Sequence, residues 1–350
     1  MLVEEALRAR VLEEMSAGQY RFTHALMQET LLGELSAARQ VLLHGQIAEA
    51  FETLYGPDDR NHLAALAGHY AESAVLNRDH ARAAVRYLRL AAEQSAAALG
   101  YEDAIALYER CLAIIEQAHD PLGEDEAALW DALAMGYKYI GNVSQGTVAL
   151  DRALALYGER GDAHARARAF IGFMQGNPDE TRVQWALFEQ LIAALGDADS
   201  VELCHSLAWR ARVELGAEGD AIAARAEAMA ARLDLAGEAY PTYLKMRQSL
   251  IRVENGQFRE AAAVFDAIVV APNVSWSVGR ANMRSWVRVW AGDIDAAAVI
   301  CVESIADARR YRRRFSEANG VGELAQIAWR RGDRPHYEQL VLAYLSPGIV

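Results

Sequence analysis

Lysine is nearly missing from this 350-residue chain: of its 35 basic residues, only Lys138 and Lys245 are lysines. The arginine bias fits a GC-rich coding sequence and assigns no mechanism. Proline is also scarce, at 7 residues, so little in the sequence breaks a helix from within. No run of about 18 consecutive apolar residues occurs, which excludes a membrane span legible from hydropathy. Residues 1–10 carry acidic side chains and no apolar stretch, so no secretory leader is expected there. Cysteine is limited to Cys111, Cys204 and Cys301, odd in number, far apart and each within a helical pattern. They are expected as buried thiols of a reducing, cytoplasmic protein. The chain lacks Cys-x2-Cys, His-x3-His and G-x-S-x-G patterns, and it lacks any Gly-Lys dipeptide, hence any P-loop. No metal, cofactor or catalytic group is therefore expected.

What remains is a composition for helices. Apolar residues make up 53% and aromatics 8%, and the abundant Ala, Leu, Arg and Glu lose little side-chain freedom in a helix. The net charge of −13 argues against nucleic acid or an anionic membrane as direct partners, because both require a local excess of cations. The Asn-x-Ser matches at Asn142 and Asn273 carry no weight without secretion.

Helical patterns of 12–18 residues alternate with short Gly-Asp or Gly-Asn turns. The clearest unit runs Trp130-x2-Leu133-Ala134-x2-Tyr137-x3-Gly141-Asn142, then Gly146, Leu150 and Ala153. It resembles the tetratricopeptide repeat of about 34 residues. Small residues let two helices cross closely, large ones fill the space around the crossing, and the turn glycine supplies a positive φ. Similar second helices follow Gly100-Tyr101, Gly219-Asp220, Gly256-Gln257-Phe258 and Gly292-Asp293, and Gly332-Asp333 marks a last, less regular pair. Two repeats superpose at an offset of 36 residues: Ser249 on Ser285, Arg252 on Arg288, Val253 on Val289 and Ala261 on Ala297. An upstream pair is expected over roughly 62–95, and a divergent pair over 161–215 with a break at Gly176-Asn177-Pro178. Strand patterns are weak everywhere; the best is Ile268-Val269-Val270.

Residues 1–55 read differently. They include Gly18-Gln19-Tyr20-Arg21-Phe22-Thr23-His24-Ala25-Leu26 and Leu43-His44, then Ile47-Ala48-x-Ala50-Phe51-Glu52. This stretch resembles a junction in bacterial signal-transduction ATPases of the STAND class, among them LuxR-type transcription regulators and adenylate-cyclase-linked proteins. In that family a Tyr-x-Phe-x-His-x-Leu strand and helix end a winged-helix module. A Leu-His-x-x-Ile-Ala-x-Ala-Leu-Glu helix then leads into tetratricopeptide-like repeats. His69-Tyr70 and the stretches Ala91-Ala92-Glu93 and Leu107-Tyr108-Glu109 also resemble the family, so the likeness covers about residues 1–120. Departures are Gln40, where the family has a second arginine, and Phe51, where it has leucine. The resemblance implies a winged-helix remnant and junction helix over 1–55, a repeat array over 56–350, and a chain that forms the middle or end of such a protein.

Several residues invite a chemical reading. His24 and His44 occupy junction positions and read first as packing histidines, with a switch role as the alternative. His62 and His69 lie seven residues apart on one helix, about 10 Å, too far to share a metal. Glu124-Asp125-Glu126 precedes a helix, where negative charge complements the dipole. The one basic run spans Arg309, Arg310, Tyr311, Arg312, Arg313 and Arg314. It reads first as a solvated helix end, with contact to an acidic partner as the alternative. Counting each Gly-Asp turn as repeat position fifteen, Trp286, Trp290 and Trp329 fall at positions nine, thirteen and twelve of first helices. Those positions face the concave groove of tetratricopeptide arrays, and Met246, Leu250 and Val253 fall on similar ones. A register error of one or two residues would instead place the tryptophans in the core.

The expected fold is all-α: a right-handed superhelical solenoid of roughly seven tetratricopeptide-like helix pairs. The expected function is a non-catalytic regulatory and sensor arm. It would bind a protein or peptide partner or a small effector, and relay occupancy to an ATPase or transcriptional output domain. A free-standing adaptor and an enzyme with an unrecognised groove site are the alternatives. The groove and partner-binding candidates are Trp286, Trp290, Trp329, Met246, Leu250, Arg309, Arg312 and Arg313.

Overall fold

The computed structural model describes residues 2–16, 19–57, 59–174, 185–214, 216–235, 240–268 and 277–345. Among these residues the chain is mostly helical, with eighteen α-helices and one antiparallel hairpin. It divides into two compact units, Met1–Glu93 with Glu109–Glu124, and Gln94–Tyr108 with Asp125–Val350.

The first unit begins with α1 (Leu2–Arg8), β1 (Leu12–Ser16), β2 (Gln19–Phe22) and α2 (Ala25–Glu34). The hairpin corrects the expectation that strands are weak everywhere. Leu12 pairs with Phe22 and Glu13 with Arg21, whose side chains form an ion pair, and the Thr23 hydroxyl donates to the Arg10 carbonyl at 2.7 Å. These contacts join residues well apart in sequence, and a four- or five-residue strand is too short for periodicity to reveal. Of the strand pattern expected instead, Ile268 is not in a strand, and Val269 and Val270 lie outside the described residues.

Helix α3 (Ala37–Tyr55) starts at Ser36, whose hydroxyl accepts from the Arg39 amide at 3.3 Å. It packs on α4 (Leu63–Ser73), and α5 (Arg78–Ala97) follows; α6 (Tyr101–Ala118) is divided, its residues to Tyr108 belonging to the second unit and those from Glu109 to the first. Two acids on α3 tie this unit together. Glu49 bonds the His80 ring at 3.0 Å, and Glu52 accepts 2.5 Å hydrogen bonds from the hydroxyls of Tyr70 and Tyr87, whose rings stack at 5.5 Å.

The second unit adds α7 (Glu126–Tyr139), α8 (Val143–Glu159), α9 (Ala163–Met174), α10 (Trp185–Leu195), α11 (Val201–Val213) and α12 (Ala217–Arg232). Then come α13 (Tyr240–Glu254), α14 (Phe258–Asp266), α15 (Ser277–Trp290), α16 (Ile294–Arg310), α17 (Arg314–Arg330) and α18 (Arg334–Tyr344). Packing is mainly between helices close in sequence: α7 on α8, α11 on α12, α13 on α14, α15 on α16 and α17 on α18. Alternate helices also touch, α7 with α9, α9 with α11, α11 with α13 and α15 with α17. Gly141, Gly256, Gly292 and Gly332 end helices with φ of 85°, 73°, 83° and 74°. Asn142, Asp293 and Asp333 then cap the next helix, each accepting from a backbone amide three residues on. Asp125 caps α7 in the same manner, bonding the amides of Ala127 and Ala128.

The 36-residue offset has a structural counterpart. The Ser249 hydroxyl donates to the Ala261 carbonyl at 2.9 Å, and its equivalent Ser285 to the Ala297 carbonyl at 3.3 Å. Both alanines are fully buried at the helix crossing. All three cysteines are buried and unpaired. Gly219-Asp220 is not a turn as expected but lies inside α12, and the turn residue is Gly216 with φ 82°. Gly219 is small for a packing reason: a Cβ there would meet the Glu214 carbonyl at 1.8 Å. The expected break at Gly176-Asn177-Pro178 lies outside the described residues.

Because Gly256 and Gly292 hold left-handed conformations in equivalent turns, Gly256→Ala and Gly292→Ala should each lower stability by about 1–2 kcal/mol. Urea unfolding followed by circular dichroism checks this; a cost near zero at either position would mean that its turn does not need the left-handed geometry.

Candidate functional site

The aromatic residues singled out in the sequence form two clusters on the last helices of the second unit. Trp286 and Trp290 lie one turn apart on α15, with ring centroids 5.4 Å apart, and Phe258 at the start of α14 meets Trp290 at 5.7 Å. Trp329 on α17 packs on Tyr337 of α18 at 5.2 Å. The three indoles stay open to solvent at 39%, 49% and 63%. They are not core residues. Met246 is different. It is only 6% exposed, and the neighbouring Arg247 is buried with it, bonded to Asp220 at 2.8 Å. The helix face carrying Met246 is turned into the protein, so it is withdrawn from the groove candidates. Leu250 is half-buried.

Beneath Trp286 the helices enclose a polar relay that sequence reading missed. The Ser285 hydroxyl lies 3.0 Å from the Cys301 thiol, which in turn lies 3.8 Å from the Glu323 carboxylate, linking α15, α16 and α17. A water-sized cavity of about 20 Å³ is lined by Ser285, Trp286, Val289, Glu323, Gln326, Ile327 and Arg330. Desolvation pushes the Glu323 carboxyl up to about 7, against the opposing hydrogen bonds from Ser285 and Cys301. It also pushes the Cys301 thiol up to about 12, which leaves it a protonated, poor nucleophile. A second desolvated acid, Asp131 on α7, is raised to about 6, with Arg168 pulling the other way. Both acids were detectable in principle. Gly320 and Ile327 flank Glu323 at helical spacing, as the fully buried Ala127 and Ala134 flank Asp131, so each acid sits on an apolar stripe.

The basic run is in part the solvated end of α16, where Arg309 and Arg310 are exposed, and in part bonded to other elements. Arg309 bonds Glu317 at 2.5 Å, Arg312 donates to the Leu99 carbonyl at 3.1 Å and to Glu102 at 3.2 Å, and Arg314 bonds Glu102 at 2.9 Å. Arg313 is 5% exposed and lies over the rings of Tyr139 and Tyr311 at 5.6 and 5.7 Å. These cations face partners within the same unit because the α16–α17 turn returns to α6 and α7.

In the first unit, His24 is the N-cap residue of α2 and its side chain makes no capping bond. His44 and His69 meet with Nδ1 atoms 2.9 Å apart, a bond that requires at least one neutral ring. Desolvation, and then the neighbouring His44, hold His69 below its ordinary value. His62 stacks on Tyr55 and pairs with Asp59 instead of facing His69. Among the described residues no group of three or more potential ligands is placed to hold a metal ion, and no helix is long and apolar enough to cross a membrane.

Two pH responses of opposite sign follow. The folded value of Glu323 is raised, so the folded state keeps a proton that the unfolded chain releases between about pH 4.5 and 7. Glu323 should therefore cost stability as pH rises through that window, on the order of 2 kcal/mol after allowance for solvent screening. Glu323→Gln should remove this dependence in denaturant titrations at pH 5 and 8, and equal slopes for variant and parent would contradict the assignment. His69 has a lowered folded value, so the unfolded chain takes up its proton first as pH falls through about 6.5. Amide protection factors on α3 and α4, referred to the intrinsic exchange rate at each pH, should thus fall on acidification, less so in His69→Gln; an unchanged acid response in the variant would exclude His69 as its source. No protein-family model and no curated protein matches the chain.

Proposed function

We propose that the chain is a non-catalytic regulatory arm, and that the helices of its second unit form a right-handed superhelical array of tetratricopeptide-like pairs. In this reading the aromatic face of α15, α17 and α18 binds a protein or peptide partner or a small effector. Occupancy is relayed to an ATPase or transcriptional output domain of the kind the N-terminal stretch resembles. The observation that carries the reading is the exposed pair Trp286 and Trp290 above the cavity lined by Glu323, Gln326 and Arg330. Large aromatic side chains beside a few convergent polar groups suit ligand recognition.

The relay draws support from a second apolar surface. Helix α2 buries none of its residues, and Met15, Tyr20, Leu26, Leu31 and Leu32 are all exposed. Apolar exposure of this kind marks a surface that packs on another body. The enzyme reading has one observation in its favour, the near-neutral Glu323 in a cavity. It lacks a partner for that acid, since the adjacent Cys301 thiol is held protonated.

A helical-peptide library and a small-molecule set, screened by quenching of tryptophan fluorescence, would supply ligands. Trp286→Ala combined with Trp290→Ala should weaken the best of them at least about tenfold with the circular dichroism unchanged. If the folded double variant binds every ligand as the parent does, the aromatic face is not the recognition surface.

A further inference from the structure

The α16–α17 turn departs from the glycine turns around it. Where Gly141, Gly256, Gly292 and Gly332 hold the left-handed position, this turn has Arg312 at φ 51°. A non-glycine residue there is strained, and the strain persists only where the surroundings hold it. Local backbone bonds close this turn, and one further partner lies 213 residues away. Arg312 donates to the carbonyl of Leu99, itself a non-glycine residue in the left-handed region at φ 64°. Thus two strained turns meet directly. Around that bond, Glu102 receives both Arg312 and Arg314, while Arg313 is inserted over Tyr139. Helix α17 also touches α7, so the end of the second unit closes on its beginning.

We infer that the arginines 312–314 form a latch that closes the second unit on itself, and that this unit opens at the seam between the α16–α17 and α5–α6 turns. Three features point to opening instead of a permanent bond. The ion pairs are half exposed, with Arg312 and Arg314 at 54% and 46% and Glu102 at 41%, so salt screens them. Each turn also has its own backbone hydrogen bonds, Arg313 N–H to the Ala308 carbonyl and Gly100 N–H to the Ser95 carbonyl, so each survives loss of the contact between them. The net charge of −13 favours the more extended state by self-repulsion. A glycine at position 312 would be the better turn former, so the arginine is there for its side chain.

That last point supplies a test in which the latch and the turn separate. Spin labels at Ala98→Cys and Ala306→Cys, both exposed positions, report the seam distance by pulsed electron resonance, and the native cysteines are buried. At low salt the parent should give one short distance, with a second, longer population appearing at 1 M sodium chloride. Arg312→Gly should show the longer population already at low salt, with its melting temperature unchanged or raised. Glu102→Arg should open the seam likewise, and Glu102→Arg with Arg314→Glu should close it again. The latch is overturned if the seam distance stays single and short in Arg312→Gly and at high salt. It is equally overturned if Arg312→Gly loses its helical signal, since the contact would then be a condition of folding.

Discussion

Everything in the second unit rests on how closely its helices approach one another. At three helix crossings the chain has a glycine where a Cβ would crowd a side chain of the facing helix. A Cβ on Gly136 would lie 2.9 Å from Ile105, one on Gly146 2.9 Å from Phe173, and one on Gly320 2.7 Å from Ile305. At others a fully buried alanine serves, as with Ala261 and Ala297. Close crossings bring side chains on one helix within reach of carbonyls on the next, which is how Ser249 and Ser285 find theirs. Dispersion and apolar burial at such crossings depend steeply on distance, so a larger residue would cost far more than its added volume suggests.

The same closeness shapes the electrostatics. Helices α15, α16 and α17 approach tightly enough to strip water from Glu323 without supplying it a cation. Its carboxyl therefore rises towards neutrality, while Ser285 and Cys301 satisfy part of its hydrogen-bonding capacity. Trp286 and Trp290 on α15 remain partly open, with only Phe258 of α14 packed against Trp290 among the ring contacts between helices there. An apolar, solvent-exposed rim beside a desolvated acid is expensive for folding alone.

Helix content, the glycine turns and the buried cysteines were legible in the sequence because each is set within a few residues. The offset of 36 residues even paired the serines and alanines that make equivalent hydrogen bonds. Three things were not legible. The hairpin of residues 12–22 depends on cross-strand pairing between short segments, and periodicity did not show it; only the family resemblance implied a strand at Tyr20–Phe22. Gly219 looks like a turn glycine and is a packing one, since its meaning lies in the Glu214 carbonyl it faces. The arginine run reads as a local helix end, whereas its partners Leu99 and Glu102 are over two hundred residues away. As for the site, the aromatic residues were found from their repeat positions. Glu323 was not legible from any motif, since a lone acid on a helix carries none; only its core neighbours at helical spacing mark it.

The central claim is that recognition occurs on the face shared by α15, α17 and α18. Amide hydrogen exchange across the whole chain, with and without a saturating ligand selected by tryptophan quenching, tests it most directly. The account predicts that protection is concentrated in residues 283–290 and 323–337. Protection confined to other helices, with these segments exchanging at the rate of the free protein, would contradict it.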